Sequence, residues 1–71
     1  MELIEKLSAM IADEMHGAAE YAHCAMRHKQ DHPKLAEAWH EMAEQETAHM
    51  NKLIEAAREE LKAMQTAYSQ A

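Results

Sequence analysis

Three features predict an all-α fold, an antiparallel two-helix hairpin: the composition, one strong break in the chain, and two apolar stripes of helical period. The 71 residues include one Gly, one Pro and no Phe. Ala, Glu, Met, Lys and Leu abound instead, and these lose little rotamer freedom in a helix. The break falls at Gln30-Asp31-His32-Pro33. Pro33 suits the first turn of a new helix and keeps His32 out of helical geometry. The chain therefore reads as one domain over 1–71, with a first helix from about 2 to 29, a turn at about 30–33 and a second helix from about 33 to 68. Asp31 and His32 supply the turn.

At about 100° per residue, one side of the first helix collects Leu3, Leu7, Met10, Ile11, Glu14, Ala18, Tyr21 and Ala25. The same construction on the second helix collects Leu35, Trp39, Met42, Glu46, His49, Leu53, Ala56 and Met64. Glu60 lies near this line but at the level of the chain start, where solvent reaches it. Three ionisable residues thus interrupt the stripes: Glu14, Glu46 and His49.

A chain this short buries too little surface to be stable without a disulfide, a metal or a partner chain. Cys24 is the only cysteine, so no disulfide forms within the chain and a metal or a homo-oligomer is expected. The net charge of −6 repels nucleic acid and anionic membranes and favours cations. The N-terminus lacks the pattern of a signal peptide, and no apolar run approaches the length of a membrane span, so a soluble cytoplasmic protein is expected.

In a hairpin turning near Asp31, Glu14 stands level with the region from Glu46 to His49. Burying three ionisable groups without partners costs several kcal/mol each, and no Lys or Arg shares that level of the stripes. A cation accounts for them. Two hairpins closing their open apolar sides about a two-fold axis, turns at opposite ends, would assemble four carboxylates and two imidazoles, enough charge for two divalent ions. The competing reading is that the helices pack on a rotated face and leave these residues in water.

Glu14, with Tyr21 two turns later and Glu46-Thr47-Ala48-His49 as an E-x-x-H on the second helix, resembles one half of the ferritin and rubrerythrin superfamily. The resemblance covers nearly the whole chain, which carries one half of the bundle, as the encapsulated ferritin-like proteins do. It implies a dimeric four-helix bundle holding two iron ions per dimer, with manganese or zinc as substitutes. In that bundle Glu14 bridges the metals, Glu46 bridges or chelates them, His49 binds one, and Tyr21 hydrogen-bonds the site from outside the ligand set. It further implies Fe(II) oxidation or related oxygen or peroxide chemistry. The cysteine pairs of a rubredoxin-type module are missing, so a built-in electron donor is not expected. Residues 65–71 do not resemble the apolar tail that directs cargo into a shell, so mineral storage would require a larger assembly or another protein.

E-x-x-H alone is a weak signal. Glu20-Tyr21-Ala22-His23 is a second instance, and its Glu20 and His23 point away from the stripe. His16 and His40 also face outward. Trp39, Met42 and Cys24 read as packing residues, and Gly17, flanking the stripe, suggests close helix approach or access to the metals. A function of another class competes with iron oxidation: a structural hairpin in which iron or zinc only stabilises the oligomer.

Overall fold

The computed structural model describes residues 2–70, with side chains to residue 69. Two helices, α1 (Glu2–Arg27) and α2 (Pro33–Gln70), pack against each other as a hairpin, with no strand among the described residues. The all-α hairpin is as expected. No helix among the described residues is long and apolar enough to cross a membrane.

The helix ends differ from expectation by two residues each. α1 stops at Arg27 rather than 29, because Pro33 has no N–H to offer the carbonyl of Lys29 and restricts His32 before it. Helical hydrogen bonds persist on either side of that gap, from the His28 N–H to the Cys24 carbonyl (3.1 Å), His32 to His28 (2.9 Å) and Ala36 to His32 (2.9 Å). α2 runs to Gln70 rather than 68. In its polar last turns the Thr66 and Ser69 hydroxyls donate back to the carbonyls of Lys62 (3.0 Å) and Gln65 (2.9 Å) and so keep their hydrogen bonds within the helix. Glu2 and Glu5 in the first turn of α1 and Arg27 in its last complement the helix dipole.

The contact seam follows alternating steps of three and four. Ile4, Leu7, Ile11, Glu14, Ala18, Tyr21 and Ala25 of α1 are buried or half-buried, as are Ala36, Trp39, Ala43, Glu46, Met50, Leu53 and Ala57 of α2. This heptad spacing keeps two helices facing each other over many turns. Among the described residues the buried apolar ones are Ala25, Ala36 and Ala43, at the turn end, where small side chains let the backbones approach.

The seam corrects the expected stripes. Leu3 (46%), Met10 (43%), Leu35 (49%) and Met42 (39%) remain exposed, and so do His49 and Ala56. Each stands one residue before a seam position. A one-residue step turns about 100° around the helix, and in an antiparallel pair that step leads to the same side of the hairpin on both helices. The chain therefore carries a seam and, beside it, an open apolar face. A stripe drawn along the mean apolar direction straddles the two.

The shape registers the same surplus of surface. A compact monomer of 8.1 kDa exposes roughly 4,500 Å², whereas this chain exposes 5920 Å². Its radius of gyration is 16.9 Å, against about 11 Å for a compact domain of this length. The molecule measures 61 × 16 × 10 Å, and its long dimension is that of α2. With 38 residues against 26 in α1, α2 overhangs the start of α1 from about residue 60 onward. Leu61 and Tyr68 on the overhang are exposed.

Candidate metal centre

Glu14 and Glu46 come from facing positions of the seam, and His49 reaches them from the open face. Their side chains are 27%, 27% and 60% exposed. His49 Nδ1 lies 3.5 Å from Glu14 Oε2 and 3.9 Å from Glu46 Oε1. One ligand atom from each residue falls within 4.8 Å of the others. Ligands held at about 2.1 Å by a tetrahedral or octahedral ion sit roughly 3.0–3.4 Å apart, so small side-chain rotations suffice to close the set on a cation.

Three further observations fit a cation between these groups. Glu14 Oε2 is buried and has no hydrogen-bond partner, an arrangement that costs free energy unless something positive meets it. The Glu46 carboxyl is raised above its ordinary value of 4.5, first through hydrogen bonding with Glu14, then through burial and repulsion by the Glu14 charge, with His49 pulling the other way. A positive ion placed between the two carboxyl groups would remove that repulsion. Finally, α1 presents a notch to Glu46 at Gly17: a Cβ built there would lie 2.9 Å from Glu46 Oε2 and 3.5 Å from its Cδ.

The notch gives a prediction with two signs. Gly17→Ala favours the helix by about 1 kcal/mol, and the atom in its way is the end of a flexible side chain, which turns aside. The metal-free protein should melt no lower than the parent by circular dichroism. Metal affinity in a competition titration should fall by about tenfold, as when a ligand loses its orientation. Unchanged affinity would show that the notch does not set the position of Glu46.

The structure brings Glu14, Glu46 and His49 together. Tyr21 sits half-buried in the seam two turns from Glu14. Among the described residues its hydroxyl makes no hydrogen bond with either carboxylate. Glu20, His23 and His16 are exposed, and His40 Nε2 pairs with Glu44 Oε1 at 2.7 Å on the surface. The Thr47 hydroxyl donates to the Ala43 carbonyl at 2.9 Å and stays within its own helix.

Sequence reasoning missed a second trio of metal-ligating residues, His28, Asp31 and His32 at the turn. Its signal was the three- and four-residue spacing, hidden because Asp31 and His32 were assigned to turn formation alone. Comparison with protein-family models, curated proteins and solved structures gave no match to this chain.

Proposed function

We propose that two copies of this hairpin close on each other through the open face, forming a four-helix bundle of the ferritin-like kind. Two sets of Glu14, Glu46 and His49 would hold two iron ions, and the activity would be Fe(II) oxidation or related oxygen or peroxide chemistry. The observation that carries this reading is the convergence of the three residues around the orphaned Glu14 Oε2. The ferritin and rubrerythrin resemblance supplies the choice of iron.

Dimerisation draws support from the surplus surface. The exposed area exceeds that of a compact monomer by roughly 1,400 Å², which from two chains matches an obligate homodimer interface of about 2,000–5,000 Å². A two-fold axis crossing near Glu14 and His49 would place the paired sites side by side and turn Leu3, Met10, Leu35 and Met42 inward. Copies of this chain are thus the partners the reading requires.

Within such a bundle each residue has a physical task. Four carboxylates balance two divalent ions, and carboxylate oxygens favour the ferric state over the ferrous. His49 contributes a neutral nitrogen, which leaves the charge balance unaltered. The Gly17 notch gives the Glu46 carboxylate room to change its angle as the charge at the site changes. Met10 and Met42, packed across the interface, limit entry of water. Two Fe(II) substrate ions would each lose one electron, and dioxygen, taking two electrons and two protons, would leave as hydrogen peroxide.

The test is an anaerobic Fe(II) titration followed by admission of oxygen, with the solution mass measured in parallel. Saturation at two Fe(II) per dimer, then uptake of one dioxygen per two iron ions, is the expected result. Uptake of zinc or iron without oxidation faster than that of Fe(II) in buffer would favour the structural reading, in which the metal only stabilises the oligomer. A species of 8.1 kDa at micromolar concentration would remove half the ligands and overturn the proposal.

A further inference from the structure

We infer that the hairpin turn is itself a metal-binding site, separate from the central one, built from His28 Nδ1, an Asp31 carboxylate oxygen and His32 Nε2. It would take a divalent ion from the zinc and copper end of the first transition row. Two imidazoles and one carboxylate accept zinc, copper and ferrous iron alike, and the Irving–Williams order makes copper and zinc the tightest binders of such a set.

The geometry is local and nearly formed. His28 Nδ1 lies 3.2 Å from Asp31 Oδ1 and 3.1 Å from Oδ2, and His32 Nε2 lies 3.9 Å from Oδ2. Around a tetrahedral ion with bonds of about 2.0–2.1 Å, neighbouring ligand atoms are roughly 3.3 Å apart. The backbone sets this spacing independently of the side chains. The His32 N–H bonds to the His28 carbonyl at 2.9 Å, a single helical-type turn that brings residues 28 and 32 close across the break.

A simpler reading makes the cluster a turn-closing ion pair. That accounts for His28 and Asp31, whose carboxyl is held below its ordinary value chiefly by the His28 hydrogen bond. It accounts for His32 only through a tilted ring contact with His28 at 5.7 Å, since His32 Nε2 at 3.9 Å is beyond hydrogen-bonding range of the same carboxylate. The side chains are 33%, 59% and 62% exposed for His28, Asp31 and His32, so the remaining coordination positions open to water. All three ligands come from one chain, and the site does not rest on dimerisation or on the central centre. Bound there, the ion would tie the end of α1 to the start of α2 and stabilise the folded hairpin over the unfolded chain.

Trp39, the only tryptophan, is a built-in reporter, since its ring centroid lies 5.5 Å from that of His28. The experiment is Zn(II) titration by calorimetry and Trp39 emission, on the full-length parent and on a Glu14→Ala, Glu46→Ala, His49→Ala variant without the central ligands. That variant should bind one Zn(II) per chain with a change in Trp39 emission. His32→Ala, which leaves the contact between His28 and Trp39 in place, should weaken this event by about tenfold or more. If the triple variant fails to fold, His32→Ala in the parent still decides, by lowering the Zn(II) count by one per chain while central binding persists. Zinc uptake unaltered by His32→Ala and Asp31→Asn, or no uptake sensitive to either, would overturn the inference and assign any binding to adventitious surface histidines.

Discussion

Glu14→Ala protein should take up no stoichiometric Fe(II), and its metal-free form should melt at a higher temperature than the parent. The two effects have one origin. Glu14 supplies a buried oxygen with no hydrogen-bond partner, and such a group destabilises a fold by about 1–3 kcal/mol. Removing it relieves that cost and lets the Glu46 carboxyl ionise without a neighbouring carboxylate. In the proposed dimer the same change deletes two of the four carboxylates, leaving two divalent ions with half their balancing charge. His49→Ala should also lose iron, with less gain in stability because His49 is exposed. Thermal melts with and without Fe(II) check both signs. An alanine variant that still binds two ions per dimer would remove Glu14 from the centre.

The second large effect is expected from charge placed on the open face. Met10→Glu with Met42→Glu should give a monomer with reduced helix content and no iron uptake, although every ligand is intact. Both methionines are exposed in the single chain, at 43% and 39%, so the substitutions cost the isolated hairpin little. Across the proposed two-fold interface each would appear twice, and desolvated like charges there would cost several kcal/mol, a weakening of the dimer by about a thousandfold or more. The hairpin left alone, with only small alanines buried among the described residues, has little core. Met26→Glu is the control: Met26 is 80% exposed and, two residues past Cys24, turns to the opposite side of α1 from the open face. It should leave the mass unchanged. Light scattering and circular dichroism on the two variants decide the matter, and a dimeric double variant would place the interface elsewhere.

The hairpin and the meeting of Glu14 with Glu46 and His49 were legible because they depend on two strong signals, Pro33 and helical period. The face that the helices share was less legible. Leu3, Met10, Leu35 and Met42 are as apolar as the seam residues, and periodicity reports only their mean direction. Ala36 and Ala43, which form part of the buried seam, carry too little hydrophobicity to stand out in sequence. Ala25 was found because it lay along the stripe with larger neighbours. The local contact of Gly17 with Glu46 was anticipated only as an approach of some kind, since a glycine shows that space is needed and not what fills it. The turn trio went unread because a break in a helical pattern draws attention to backbone geometry, and its side chains were given no second task.

The unequal lengths of the helices bear on how two copies would be aligned. Counted from the level where Glu14 meets Glu46, the turn lies about 16 residues, or roughly 24 Å, away in one direction. In the other direction the described residues of α1 extend about 12 residues and those of α2 about 23. In a pair related by a two-fold axis at that level, the partner's turn would lie beside α2 near Ala63, beyond the reach of α1. The protruding end of α2 would then serve as a ledge under the other copy's turn. Trimming that ledge would loosen the association from its two ends while leaving the centre and its ligands intact, so the length of one helix would act as a gauge for the alignment of the pair.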